Sequence, residues 1–211
     1  MRTDDLINLI AQDTRPPVKT SKSLLLAVIM GAMMSCALFF AVLGVRPDIA
    51  EAIEKARFAY KFLLTLSLFS IASSLLTAMV QPGQGATVRR WLLLLVPMLL
   101  LGAVIVELIV TPPDLWGARL IGLNAVHCLI AIPVLSFFPG ILLFRAMKNG
   151  APDDPGLAGA IAALVSAGIA STLYASNCPD DSPLFVATWY SAATAVVVVI
   201  GYFAGRRFLR W

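Results

Sequence analysis

The residues able to do chemistry in this 211-residue chain are few, and most fall at one end of its apolar segments. His127 and Cys128 stand together about one turn inside an apolar run, and Cys178 lies in the polar stretch Asn177-Cys178-Pro179-Asp180-Asp181-Ser182-Pro183. Glu107 sits near the end of another apolar run, at a depth close to that of His127 and Cys128. A carboxylate, an imidazole and two thiols can therefore converge, and an ionisable group inside a membrane span is a functional candidate by default. Three readings are open: a disulfide between Cys128 and Cys178, a metal site drawn from Glu107, His127, Cys128, Cys178 and Asp181, or unrelated residues. Thiolates and imidazole suit copper or zinc, and an oxidising compartment suits the disulfide. Asp180 and Asp181 are expected to raise the Cys178 thiol pKa, and a bound cation would reverse that. For Glu107 alone, a side chain reaching out to the interface is as good a reading as ligation. Cys36, beside Met33 and Met34, reads as an ordinary buried thiol.

The elements that must position these groups are set by composition. Apolar residues make up 59% of the chain and charged residues 13%, against roughly 25% charged in a soluble domain. No charge interrupts the stretches from Lys22 to Arg46, Lys61 to Arg89, Arg119 to Arg145, Asp154 to Asp180 or Asp181 to Arg206, and a sixth run, Trp91 to Val110, carries Glu107 alone. Each is long enough for a helix of about 20 residues across a bilayer. The predicted fold is all-α, an integral membrane bundle of six transmembrane helices near residues 23–44, 60–80, 91–110, 124–144, 157–175 and 185–205. The first run begins at Ser23 with no small-residue cleavage site behind it, so it is expected to stay as an anchor.

Six spans put both ends on one side. With the N-terminus cytoplasmic, the greater share of the 16 basic residues falls inside, including Arg89, Arg90, Arg145, Lys148, Arg206 and Arg207, leaving Arg46, Lys55, Arg57, Lys61 and Arg119 outside. The net charge of +4 thus reports topology, and no direct nucleic-acid partner is implied. Pro133 and Pro139 are expected to kink the fourth span unless neighbouring helices satisfy the freed carbonyls. Gly159, Ala163 and Ala167 recur every four residues, which predicts that the fifth span packs most closely. Between Pro47 and Ala59, Glu51 with Lys55 and Glu54 with Arg57 stand at helical spacing, as in a short surface helix.

The chain divides into a cytoplasmic segment, 1–21, and the bundle, 22–211. Thr3, Asp4 and Asp5 supply a helix cap and a first turn that complements the helix dipole. Leu6, Leu9 and Ile10 then share one face, and the helix should end before Pro16. A helix this short is marginal alone and orders on docking. Its aspartates argue against an anionic membrane surface and for a protein groove.

From His127-Cys128 through Ile132-Pro133, Tyr174-Ala175, Asn177-Cys178, Asp181-Ser182-Pro183 and Trp189-Tyr190 to Gly205-Arg206-Arg207, the chain resembles the NrsF family, transmembrane negative regulators of sigma factor F; the opening Arg2-Thr3-Asp4-Asp5-Leu6 is similar too. That resemblance implies an anti-sigma factor of the bacterial inner membrane. It would hold an extracytoplasmic-function sigma factor through Asp4, Asp5, Leu6, Leu9 and Ile10 and release it under metal or oxidative stress sensed at Cys128 and Cys178. The family often has His before its second cysteine. Asn177 stands there in this chain, which counts against a symmetrical double His-Cys metal site and leaves a disulfide untouched. No cofactor is required, and a homodimer is compatible with the sequence. Two rivals fare worse: a membrane thiol oxidoreductase would need a reactive pair such as Cys-x-x-Cys, and a small metal transporter would place polar groups near the bilayer midplane.

Overall fold

A computed structural model describes residues 20–80, 91–148, 152 and 154–209. The Asp4 to Ile10 segment, with Leu6 and Leu9, and the Arg89-Arg90 pair lie outside the described residues. Those described are all-α, without strands. An apolar chain in lipid must satisfy its backbone groups internally, and the helix does so within one segment.

The helices are α1 (Thr20–Val42), α2 (Ile49–Ile53), α3 (Ala56–Val80), α4 (Leu95–Val110), α5 (Trp116–Ile121), α6 (Ala125–Met147), α7 (Pro155–Ala175) and α8 (Pro183–Phe208). Val186–Tyr190 of α8 forms one π-helical turn. Five helical stretches are long and apolar enough to cross a membrane. The sixth apolar helix, α4, has 16 residues, or about 24 Å at 1.5 Å per residue, short of a hydrocarbon core. The expected spans agree with the helices to within a few residues. Between Pro47 and Ala59, however, α2 is brief and α3 takes over at Ala56. Arg57 accordingly turns to Glu107 rather than to Glu54.

Two apolar clusters divide the bundle lengthwise. Leu24, Val80, Met147, Ala158 and Leu209 meet at the end where the described chain both begins and finishes, called here the terminal end. At the opposite, thiol end, Phe39, Leu64, Cys128, Tyr174, Cys178 and Phe185 gather. Helix α4 runs from one to the other, with Leu93 just before it against the first cluster and Leu99 and Leu100 against the second. Outward faces remain apolar, as at Leu25, Met33, Phe40, Met98, Ile130 and Phe203. Such a surface suits lipid and not water.

Helix α7 is the centre of the packing, as its small residues predict: 78% of its apolar stretch is buried, and it touches α8, α3 and α6. Its start is fixed by Asp154, whose carboxylate accepts from Leu157 N at 3.0 Å, with Pro155 at the first helical position. A methyl group on Gly159 would come within 2.7 Å of the Gly205 Cα on α8, and one on Gly168 within 2.8 Å of the Phe69 Cα on α3. The backbones themselves are in contact. Helix α1 meets α6 the same way, at Gly31 against the Cα of Pro139. Pro139 has no N–H to offer Leu135, and the Ser35 hydroxyl of α1 donates to the Leu135 carbonyl at 2.6 Å. That bond lets a proline stay inside an unbroken apolar helix.

Candidate functional site

The thiol end is organised by the loop between α7 and α8. Ser176 accepts from Arg46 N at 3.1 Å, and the Asn177 side-chain amide donates to Gly44 O at 2.9 Å, so the loop is tied to the end of α1. Asp180 accepts from Leu123 N at 3.1 Å, Asn124 N at 2.9 Å and the Asn124 amide at 3.1 Å, which ties it to the start of α6. That approach needs Gly122, which has φ of 60° and where any Cβ would run into the Phe185 ring at 2.5 Å. The Trp189 indole also donates to Leu120 O, at 2.8 Å.

Asp181 is a hub of opposite charge. Lys61 of α3 reaches it at 2.5 Å and Arg46 at 2.8 Å, and Lys61 also donates to the Cys178 carbonyl at 2.8 Å. Lys61 is only 1% exposed. A cation can remain there because both a carboxylate and a carbonyl meet it, whereas an unpaired buried ammonium would cost several kcal/mol. Arg46 closes the arrangement on Asp48, with Nε at 2.7 Å and Nη2 at 2.6 Å. Both cations lie beside the Phe58 ring, 5.9 and 5.8 Å from its centre. Hydrogen bonding to Arg46 holds the Asp48 carboxyl at about 2. The same pairing pushes the Arg46 guanidinium up, against the opposing effect of its own burial.

Glu107 belongs to a second ion group. Buried on α4, it pairs with Arg119 and, at 3.0 Å, with Arg57, and Ser182 Oγ stands 3.4 Å away. Arg119 also donates to Thr111 Oγ1 at 2.9 Å. The carboxylate neither snorkels to the surface nor faces the thiols. It is neutralised by two guanidinium groups.

Cys128 and Cys178 are both fully buried, both unbridged, and in one cluster with Tyr174, Phe185 and Tyr190. The Tyr174 and Tyr190 rings are 5.8 Å apart in that cluster. Burial pushes the Cys178 thiol up, and Lys61 pulls the other way. Asp180 adds to the rise, as expected, but burial leads. A protonated thiol is a slow nucleophile, so Cys178 is guarded against casual oxidation.

The five residues considered for a metal do not come together. His127 lines a small cavity with Leu38, Val42 and Leu43 of the α1 side, while Asp181 and Glu107 hold cations. Among the described residues no group of three or more His, Cys, Asp or Glu side chains is placed to hold a metal ion. The donor set fits neither copper nor zinc well, because each carboxylate would have to give up two bound cations. The thiol pair alone is brought into one place. Cys36 is a free, half-buried thiol on α1.

Sequence reasoning missed Arg46, Lys61, Tyr174 and Tyr190 as members of this site. Lys61 had one available signal, a lysine placed directly at the start of an apolar run.

The model of the family described as "Negative regulator of sigma F", NrsF, matches residues 10–211. The Anti-sigma-F factor NrsF of Caulobacter vibrioides is 33% identical over the full length of both chains. The Probable anti-sigma-F factor NrsF of Azospira oryzae is 27% identical, again over both full lengths. No solved structure matches. These names describe regulators and not enzymes, and this chain belongs to the NrsF family of negative regulators of sigma F.

Proposed function

We propose that this protein is an anti-sigma factor anchored in the bacterial inner membrane by six crossings with both ends cytoplasmic. The observation that carries the reading is the end-to-end likeness to a protein named as an anti-sigma-F factor. The common placement of Leu24 and Leu209 supports an even number of crossings, with α4 as the shortest of them. The basic residues Arg145, Lys148, Arg206 and Arg207 at that end favour a cytoplasmic assignment.

In this reading residues 1–21 dock on an extracytoplasmic-function sigma factor through Leu6, Leu9 and Ile10, with Asp4 and Asp5 at the helix start. Three apolar side chains contribute about 1.5 to 3 kcal/mol each before ordering costs. The signal is oxidation of Cys128 and Cys178 by a periplasmic oxidant, which takes two electrons while two thiol protons leave and one S–S bond forms. A disulfide is favoured over a metal because the neighbouring carboxylates are already engaged. The bond would join the α7–α8 loop to α6, whose other end packs beside Leu24 of α1. A coupling of about 1 to 3 kcal/mol between the two ends would change sigma affinity 5- to 150-fold.

Two experiments test this. Recovery of the sigma factor with solubilised protein should vanish when residues 1–15 are removed, and unchanged recovery rules out the docking segment. Mass spectrometry after oxidant exposure should find a Cys128–Cys178 crosslink, with sigma release absent in Cys128→Ser and Cys178→Ser; release that persists in both variants ends the sensing proposal.

A further inference from the structure

Hydroxyl groups inside apolar helices usually turn back on their own backbone. Ser136 donates to Ile132 O at 2.7 Å, Ser166 to Ala162 O at 2.9 Å, Thr172 to Gly168 O at 2.8 Å and Thr188 to Leu184 O at 2.9 Å. Ser171 and Tyr190 do not. Their hydroxyls are buried, at 2% and 4% residue exposure, and neither has a hydrogen-bond partner. Both border the same cleft, about 360 Å³ in volume, between α3, α4, α7 and α8. Ser73 is likewise unpartnered but does not line it.

An unpaired buried hydroxyl costs about 1 to 3 kcal/mol, and two on one wall need a cause. The remaining wall carries no charge and is mostly aliphatic, as at Leu68, Leu100, Leu164 and Val198, with Thr65, Ser191 and Thr194 as its other hydroxyl residues. Tyr190 closes the π-helical turn of α8, where one extra residue per turn re-aims the side chains that follow; such turns recur at functional sites. Ala195 and Ser191 of α8 both line the cleft and are exposed, so it reaches the surface of the protein beside them. Its size is that of small-molecule sites, which run from about 300 to 1,000 Å³.

We propose that this cleft binds an uncharged, largely apolar molecule dissolved in the bilayer, whose carbonyl oxygen accepts from Ser171 and Tyr190. A carbonyl supplies the acceptor both hydroxyls lack. A charged head would instead have to be stripped of water in an aliphatic wall with no counter-charge. Two membrane constituents carry this chemistry, a quinone ring and the ester group of a phospholipid. Tyr190 also packs in the thiol cluster, so occupancy touches the packing around Cys128 and Cys178 without using either sulfur.

The test uses the full chain in nanodiscs of ether-linked phosphatidylcholine, which has no ester carbonyl. Decyl-benzoquinone is titrated while tryptophan fluorescence is read. Saturable quenching, weakened about tenfold or more by Ser171→Ala with Tyr190→Phe, as expected for two lost hydrogen bonds between neutral groups, supports the site with a quinone as occupant. Ester phospholipid that survives exchange into ether lipid in the parent and is lost from the double variant supports it with lipid as occupant. Neither saturation nor retention, or binding equal in parent and double variant, overturns it. Because the double variant deletes only unpaired hydroxyls, its melting temperature in empty discs should match or exceed the parent's. Ala195→Trp keeps both donors and fills the mouth of the cleft from an exposed position, so it should abolish binding with unchanged helix content; undiminished binding to it also overturns the proposal.

Discussion

At the terminal end Leu24, Val80, Met147 and Leu209 meet through aliphatic and small side chains, while at the thiol end the cluster around Phe39 and Cys128 is roofed by Lys61, Arg46 and Asp181. The first region is specified by shape. Backbone approaches such as Gly159 on Gly205 admit nothing larger, and these contacts themselves involve no ionisable group and no thiol. The second is specified by charge and hydrogen bonding between distant segments. It depends on the chemical state of each member. A membrane protein that must hold together while responding to a signal can divide the two tasks in this way between its ends.

The comparison is broken most severely at Lys61. Lys61→Met leaves Asp181 with Arg46 alone and the Cys178 carbonyl without its donor. We expect a loss of about 3 to 5 kcal/mol, read as thermal unfolding in detergent. A loss below that of Gly159→Leu, which forces α7 from α8 at the terminal end, would mean that shape governs both ends. Partial recovery in Lys61→Met with Asp181→Leu would sharpen the point, since without Lys61 the single Arg46 guanidinium is left to balance both Asp48 and Asp181.

Gly159→Leu should cost about 1 to 3 kcal/mol by forcing α7 from α8. Its effect should be identical with oxidised and reduced protein, as judged by melting with and without a thiol reductant. Dependence on reductant would show that the two ends are not separate.

Ser35→Ala strips the Leu135 carbonyl of its donor, a change expected to cost about 1 to 2 kcal/mol. Restoring stability with Pro139→Ala, which returns an N–H to that carbonyl, would identify the cause; an additive loss would refute it.

The smallest effect concerns acid. The Asp48 carboxyl is depressed to about 2, below its ordinary 3.8, mainly by hydrogen bonding to Arg46. Its stabilising share is therefore complete above pH 3.8 and is lost only as pH falls through about 2. Melting between pH 7 and 4.5 should be the same for the parent and Asp48→Asn apart from a constant offset. A gap that closes within that window would show the pair to be weaker than its geometry implies.

Much of the bundle was legible beforehand. Six apolar runs gave six apolar helices, although α4 is shorter than expected, and the small residues of α7 correctly marked the close-packed centre. The chemistry was harder to read. Glu107, His127 and Cys128 were placed at similar depth, but depth says nothing about direction around a helix axis. Neighbours such as His127 and Cys128 point about 100° apart, so one lines a cavity beside α1 and the other enters the core. Pairs such as Lys61 with Asp181 leave no local pattern at all, being 120 residues apart. Of the two prolines in α6, Pro139 was readable only in part: the freed carbonyl was foreseen, and Ser35 as its partner was not.

The crossing of α1 over α6 at Gly31 and Pro139 has a mechanical meaning. The two helices pack along their length, from Leu24 beside Met147 to Leu43 beside His127, and Ser35 pins them at the middle, so neither can slide on the other without breaking that bond. The pair would therefore travel as one body, and a displacement of α6 at its sulfur-bearing end would carry α1 along with it.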